Sequence, residues 1–407
     1  MVVWKRSMLL CLALALLLTA GCAADAPAAD TQAPPASAAP TPQIAEPTQW
    51  TPVYDGNLRR LGEIDSRGVY TAADAGILYS VYAPEENAFT GPAQYRFFRQ
   101  EDGADLLLGT LPDQGYEAIF SRTELKGVLY TLAVTGNPFD DAPDRLLLLA
   151  MDPAAGTMRQ IPVSDDGFPY AAMAAAGDRL LIMNHETSMP QQDKLYAFNP
   201  ASGEVREVLS FQPQTDSLRS VCAAEDGFWL LRLSQSTDRE ADLFLDRYDG
   251  ECRKVSERSV KEPLLRAVQE INGITDRADA LRELGMNVSG FRVAEDRYLF
   301  YENFGLSRVV LDLQTEQPLF SADDNYAVSL GSGKALLYRL DFGDDPAAGP
   351  ELLELTDGAM QAHTFEPSGS CRLLRSVSCA PSGQQLLEFS ESFPAAAGES
   401  ALYLTGR

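Results

Sequence analysis

Residues 170–209 read YAAMAAAGDRLLIMNHETSMPQQDKLYAFNPASGEVREVL. A short strand of small residues, Tyr170 to Ala176, ends at Gly177-Asp178, and an apolar strand, Arg179 to Met183, follows. After a polar loop, Lys194 to Phe198 reads as a third strand. Asn199-Pro200-Ala201-Ser202-Gly203 is a turn, because proline presets φ and glycine accepts positive φ. Glu204 to Leu209 then alternates as a fourth strand.

The same order recurs along the chain. Asp74-Ala75-Gly76 precedes ILYSVY, Lys126-Gly127 precedes VLYTLAV, and Asp226-Gly227 precedes FWLLRL. Glu295-Asp296 precedes RYLFYE, Ser332-Gly333 precedes KALLYRL, and Ser382-Gly383 precedes QQLLEF. Gly76, Gly127, Gly177 and Gly227 lie about 50 residues apart, as do Gly333 and Gly383, a spacing typical of repeat architectures. The closing turn recurs as Asp152-Pro153-Ala154-Ala155-Gly156, and in altered form as Asp312-Leu313-Gln314-Thr315-Glu316. Four-stranded units of this length predict an all-β β-propeller with seven blades. The small residues of AAMAAA and SVCAA suit inner strands, where blades crowd at the axis. The last unit ends after a third strand, Ser400 to Thr405. Pro52 to Ile64 is expected to supply the missing fourth strand and close the ring.

The stretch LYAFNPASGEVREVL is similar to the end of a PQQ-type repeat, and the chain resembles bacterial extracytoplasmic propellers with PQQ-like and TolB-like repeats. The tryptophan usual after that glycine is absent, with Val208 near its place. The resemblance therefore implies blade geometry and not quinone binding. No cofactor is expected.

One spacing departs from the period. Gly227 and Asp296 are 69 residues apart, and the surplus falls at 261–285. Leu264, Val268 and Ile271 recur at helical spacing, with Pro263 in the first turn. Thr275 is expected to cap a second helix that carries Leu281 and Leu284 and ends at Gly285. The expectation is a helical insertion between blades 4 and 5.

Upstream of the repeats, Lys5 and Arg6 precede an apolar run, Met8 to Leu18, too short for a membrane span. Leu18-Thr19-Ala20-Gly21-Cys22 resembles the lipobox of bacterial lipoproteins. That resemblance implies a signal peptide at 1–21, lipidation of Cys22, and a membrane-anchored domain outside the cytoplasm, at the cell surface or in the periplasm. Two or more acyl chains hold a protein stably on a bilayer. Residues 23–48 contain ten Ala, six Pro and no aromatic, the composition of a disordered tether. The propeller domain is expected at 49–407.

The net charge of −25 argues against nucleic acid as a partner. Beyond Cys11 and Cys22, the four cysteines Cys222, Cys252, Cys371 and Cys379 match no zinc spacing; an exported protein could hold them as two disulfides, and free, packed thiols are the default expectation. No G-x-S-x-G elbow, Walker loop, H-E-x-x-H or calcium-loop pattern is present, and no catalytic or metal-ligating residue is assigned.

Propeller connectivity places the loops between second and third strands on one face with the blade-to-blade connections. The loops 83–94, 135–144, 184–193, 234–242, 341–350 and 390–399 share that face with the insertion. Long loops on a rigid scaffold often carry binding. The candidate binding residues there are Phe89, Phe139, Asp140, Asp141, His185, Glu186, Asp341, Phe342, Asp344, Asp345 and Phe393. Acidic loops with an aromatic suit a cationic or sugar-like ligand. The expected function is a non-catalytic binding or scaffold module for a protein, peptide or glycan. The alternative is an envelope hydrolase or lyase that acts on carbohydrate with carboxylates in the axial pocket.

Overall fold

The computed structural model describes residues 43–45, 50–52, 69–81, 94–111, 115–117, 122–135, 144–168, 171–186, 188–236, 239–285, 288–303, 307–322, 326–330, 335–339, 351–356, 358–364, 373–391 and 400–405. Two short strands come first, β1 (Gln43–Ala45) and β2 (Trp50–Pro52). Blade 1 is β3 (Tyr70–Ala73), β4 (Gly76–Val81), β5 (Gln94–Arg99) and β6 (Asp105–Thr110). Blade 2 has a divided inner strand, β7 (Gly115–Glu117) and β8 (Thr123–Leu125), then β9 (Val128–Thr135), β10 (Arg145–Asp152) and β11 (Thr157–Ser164). Blade 3 is β12 (Ala172–Ala176), β13 (Arg179–Glu186), β14 (Gln192–Asn199) and β15 (Glu204–Phe211). Blade 4 is β16 (Asp216–Ala224), β17 (Gly227–Ser236), β18 (Arg239–Asp249) and β19 (Lys254–Ser259).

Helices α1 (Lys261–Asn272) and α2 (Arg277–Gly285) follow. Blade 5 is β20 (Val288–Ala294), β21 (Tyr298–Asn303), β22 (Ser307–Asp312) and β23 (Gln317–Ala322). Blade 6 is β24 (Tyr326–Leu330), β25 (Ala335–Arg339), β26 (Glu351–Thr356) and β27 (Ala359–Thr364). Blade 7 is β28 (Leu373–Cys379), β29 (Gln385–Ser390) and β30 (Ser400–Thr405). The chain is a seven-bladed β-propeller of antiparallel blades with the helical insertion between blades 4 and 5.

The core is divided as a ring requires. Each apolar cluster joins two neighbouring blades rather than filling one centre. Tyr130 and Leu148 of blade 2 meet Leu180 and Phe198 of blade 3. Leu181 and Leu195 of blade 3 meet Leu218, Phe228 and Tyr248 of blade 4. The ring closes where Tyr70, Ile77 and Tyr79 of blade 1 meet Leu386, Leu402 and Leu404 of blade 7. Ser382 N–H donates to Asp74 Oδ1 at 2.8 Å and Ala72 N–H to Ser378 Oγ at 2.8 Å across that junction.

The turn chemistry read from the sequence is realised. Asp152 Oδ1 accepts from Ala154 and Ala155 N–H at 2.9 and 3.0 Å, and Gly156 takes φ +64°. Asn199 Oδ1 accepts from Ala201 N–H at 2.9 Å, with Gly203 at φ +73°. In the altered copy Asp312 Oδ1 accepts from Gln314 N–H at 2.9 Å, and Glu316 holds the left-handed position at φ +58°. Gly76 and Gly227 open second strands for a different reason. A Cβ at either would collide with a carbonyl of the third strand, that of Phe98 or Tyr248.

Several expectations need correction. The closing strand is Trp50–Pro52, paired antiparallel with β30, and not Pro52 to Ile64; residues 53–64 lie outside the described residues. Gln43–Ala45, within the Ala/Pro-rich stretch, pairs parallel with β27 as a fifth strand of blade 6. The cap of α2 is Asp276 rather than Thr275, because Asp276 Oδ1 accepts from Ala278 and Asp279 N–H at 2.8 and 3.0 Å. Blade 2's inner strand is split, since Glu117 faces Ala133 and Thr123 faces Tyr130, leaving three surplus residues between them.

Cys222 and Cys252 are free thiols, and Cys379 is buried. Burial pushes the Cys222 thiol up to about 12, although its sulfur accepts from Val293 N–H at 3.3 Å across the blade 4–5 junction. Cys252 takes the left-handed position, φ +61°, of the turn after β18. Cys371 lies outside the described residues.

Candidate functional site

Antiparallel connection gives the ring two unlike ends. Turns from first to second and from third to fourth strands form one end, the turn face. Loops from second to third strands and the blade-to-blade connections form the other, the loop face. The insertion lies on the loop face, and it is built into the scaffold. Leu264, Leu265, Val268, Ala280 and Leu284 are buried in the same cluster as Trp229 of blade 4 and Phe291 of blade 5. Tyr301 OH donates to the Leu284 carbonyl at 2.6 Å. Arg277 spans Glu240 and Glu262, with Nε to Glu240 Oε1 at 2.9 Å and Nη2 to Glu262 Oε1 at 2.7 Å. Arg277, then Lys261, hold the Glu240 carboxyl down at about 2. Deleting the insertion would therefore strip the core of two blades, so point substitutions are the better probe of this face.

Of the candidate residues, His185 and Glu186 are described. They are strand residues at the end of β13 rather than loop residues, since the ladder runs on to Glu186 opposite Gln192. Successive strand residues point to opposite sheet faces. His185 Nδ1 lies 2.7 Å from Asp193 Oδ1, and Asp193 Oδ2 accepts from Ser217 Oγ–H and Leu218 N–H of blade 4, both at 2.8 Å. Glu186 Oε1 instead accepts from Ser164 of blade 2 at 2.9 Å and from the Tyr196 hydroxyl at 2.5 Å. Burial, then the Glu186 carboxylate, push that hydroxyl up to about 12. Lys194 Nζ completes the group at 2.9 Å from Glu186 Oε2. Thus His185 bonds Asp193 of its own blade, which in turn ties blade 3 to blade 4, and Glu186 ties blade 3 to blade 2. Phe89, Phe139, Asp140, Asp141, Asp341, Phe342, Asp344, Asp345 and Phe393 lie outside the described residues, as does Cys22.

The inner strands carry a charge pattern that the composition hides. Among their described residues the acids are Glu117, Glu124 and Asp216. Glu117 pairs with Arg122 and Asp216 with Arg232, and Glu124 sits at the turn-face end. Arg219, Arg292 and Arg375 lie on the inner strands of blades 4, 5 and 7. Arg219 and Arg375 occupy the same place, a bulge where the ladder to the second strand shifts by one residue. Such bulges re-aim a side chain and recur near functional sites.

Arg219 is half-buried, and its Nε has no hydrogen-bond partner among the described residues. It forms no ion pair with any described residue. Desolvation lowers its pKa, only partly offset by the nearby Asp193 and Tyr301. A guanidinium with an unmet N–H donor in a partly desolvated setting favours an incoming carboxylate or sugar oxygen. Sequence reading missed it because an arginine in a strand of small residues looks like a solvated surface residue until the bulge is seen. Among the described residues no group of three or more His, Cys, Asp or Glu could hold a metal ion.

No family model and no curated protein matches the chain. Among solved structures, one titled "Crystal Structure of Mitotic Checkpoint Complex" is 9% identical with a TM-score of 0.48, covering 94% of this chain and 99% of that one. "Oligogalacturonate lyase in complex with manganese" is 15% identical with a TM-score of 0.47, covering 89% and 94%. The β-propeller domain of the Trilobed protease from Pyrococcus furiosus is 9% identical with a TM-score of 0.44, covering 73% and 82%. At these identities and scores they bear on neither ligand nor activity.

Proposed function

We propose that the protein is a lipid-anchored, extracytoplasmic binding module that takes a protein, peptide or glycan on the loop face without catalysing a reaction on it. The observation that carries the reading is Arg219, a half-buried guanidinium on an inner-strand bulge whose Nε has no hydrogen-bond partner among the described residues. Arg292 and Arg375 on other inner strands add positive charge around the same axis, within a chain of net charge −25. Ligand groups bearing oxygen, such as a peptide carboxylate or a glycan hydroxyl or carboxylate, complement that arrangement. The two described acids nearer the loop face, Glu117 and Asp216, are each engaged by an arginine, which disfavours a pair of free carboxylates for hydrolysis.

Arg219→Ala is expected to weaken capture of the partner from detergent-solubilised envelope by about tenfold or more, the loss of a charge-assisted hydrogen bond. Arg219→Lys is expected to restore only part of it, since lysine lacks the planar fork. Equal capture by wild type and Arg219→Ala, with both folded, would sink the reading. The anchor is tested separately. Cys22→Ser is expected to abolish metabolic incorporation of fatty acid and to leave the protein as an unprocessed precursor. Continued fatty-acid labelling of the Cys22→Ser protein would remove the anchor from the proposal.

A further inference from the structure

A cleft of about 940 Å³ opens on the turn face between blades 1 and 2. Asp74 and Ala75 of the blade 1 turn form one wall with Phe97 and Glu101, and Leu129 and Ala154 of blade 2 face them. The corresponding junction between blades 4 and 5 is filled. There Trp229 Nε1–H donates to Asp296 Oδ1 at 3.0 Å, and Arg247 lies 5.4 Å over the indole and pairs with Asp226 and Asp296. By ladder register, Trp229 and Arg247 correspond to Leu78 and Phe97 in blade 1. Asp296, at positive φ, corresponds to Gly127 in blade 2, where nothing lies within 4 Å of an added Cβ. Leu78 and Phe97 are packed in the core between blades 1 and 2, and the smaller set leaves only the turn-face end of that junction open.

Glu124 borders this cleft, and its residue type breaks a rule that the other blades keep. The penultimate ladder residue of each inner strand is Ala72, Ala175, Ala223, Val293, Ser329 or Ser378 in the six other blades. Those are small and uncharged, as crowding near the axis demands. Blade 2 alone places a carboxylate there, Glu124 opposite Leu129. Glu124 is 7% exposed. Its Oε2 accepts from Asp74 N–H at 3.0 Å, and Oε1 has no partner among the described residues. Burial is the main influence on its carboxyl, which is raised above its ordinary value, and among the described residues no cation pairs with it. Arg99, the basic residue of the cleft, is engaged by Asp102 at 3.1 Å. A buried charge without a counter-charge is costly, and a bound cation would offset that cost.

We propose that this cleft binds the side chain of a lysine on a partner peptide, with the ammonium on Glu124 Oε1 and the methylene stem along the exposed Ala75 and Ala154, above a floor of packed Phe97 and Leu129. Apolar walls with a carboxylate at one end match an alkylammonium, whose stem buries while its head finds a charge. The site lies on the face opposite the loop-face site and stands whether or not that reading holds.

The test is saturation-transfer NMR on the full-length chain with two peptides, acetyl-Ala-Lys-Ala-amide and its norleucine counterpart. Transfer to the lysine side chain is expected with wild type, and much less to norleucine. Glu124→Gln keeps an acceptor for Asp74 N–H but removes the charge, and is expected to reduce transfer about tenfold, the factor for one lost ion pair of about 1.4 kcal/mol. Glu101→Gln, at the cleft rim, is expected to change it little, which separates the site from general attraction to an acidic protein. Should Glu124→Gln fail to fold, Ala154→Lys on the exposed opposing turn supplies a competing ammonium and is expected to abolish transfer. Equal transfer to both peptides, or full transfer in a folded Glu124→Gln, overturns the proposal.

Discussion

Arg122→Ala is expected to destabilise the propeller by about 3–5 kcal/mol, the usual cost of breaking a buried ion pair from one side. Arg122 Nε and Nη2 bind Glu117 Oε1 and Oε2 at 2.6 and 2.8 Å, and the two side chains are 8% and 10% exposed. Thr131 Oγ–H donates to the same carboxylate at 2.7 Å. Arg122 also donates to the Val69 carbonyl and to Ser80 Oγ, both at 2.8 Å, reaching into blade 1. One guanidinium therefore holds together the two halves of the interrupted inner strand and fastens blade 2 to blade 1. Its removal leaves Glu117 without its counter-charge.

The pH dependence has a definite sign. Burial alone would raise the Glu117 carboxyl, but Arg122, then Thr131 and Tyr95, outweigh it and hold the carboxyl below its ordinary value. A depressed folded value means that the stabilisation is complete above the unfolded value of about 4.3 and is lost as pH falls through the folded one. Arg122→Ala should thus lose its disadvantage relative to wild type in acid, measured as a narrowing gap between their denaturation midpoints below about pH 4. The pair Glu117→Leu, Arg122→Met is expected to recover most of the loss. A cost below about 1 kcal/mol for Arg122→Ala at neutral pH would show that the pair is not structural.

The parts of the fold legible in the sequence are those set by local backbone chemistry. Asn199-Pro200 and Gly203, Asp152-Pro153 and Gly156, and the spaced glycines before second strands encode turns within a few residues. Counting them yields the blades. Leu264 and Val268 encode the insertion for the same reason, since helical spacing is local. What escaped depends on partners distant in sequence. Nothing in Trp50–Pro52 marks it as the closing strand until β30 lies beside it. Glu117 and Arg122 read as ordinary charges until the surplus residues between β7 and β8 show that they must meet. His185 and Glu186 are adjacent in sequence, yet they meet different partners because strand neighbours point apart, Asp193 of the same blade and Ser164 of blade 2. Glu124 is visible as an anomaly only against the equivalent positions of the other blades, an alignment that ladder register supplies and sequence does not, and Arg219 stands out only once the bulge it shares in kind with Arg375 is seen.

Arg232→Met is expected to cost about 3–5 kcal/mol as well, for a related reason. Each strand of blade 4 contributes to its surroundings. Arg232 on β17 pairs with Asp216 on β16, with Asp246 Oδ2 on β18 at 2.9 Å and with Glu257 Oε2 on β19 at 2.8 Å, and its guanidinium lies 4.8 Å over the Phe244 ring. Asp246 is fully buried and among the described residues would keep as its cation Lys254, 3.2 Å away and itself 37% exposed. Asp216 and Glu257 are 35% and 43% exposed and can turn to water. The cost should therefore concentrate on the Arg232–Asp246 pair. Asp216→Asn and Glu257→Gln are each expected to cost less than about 1 kcal/mol. Arg232→Met with Asp246→Leu should approach wild-type stability, because an apolar pair of similar volume needs no counter-charge. A double-mutant cycle read from urea midpoints gives the coupling directly. If the double variant loses as much as Arg232→Met alone, the effect comes from lost packing over Phe244 and not from the stranded charge. Buried pairs are weakly screened, so the loss should persist in 1 M salt, unlike that of surface pairs such as Arg253–Asp249.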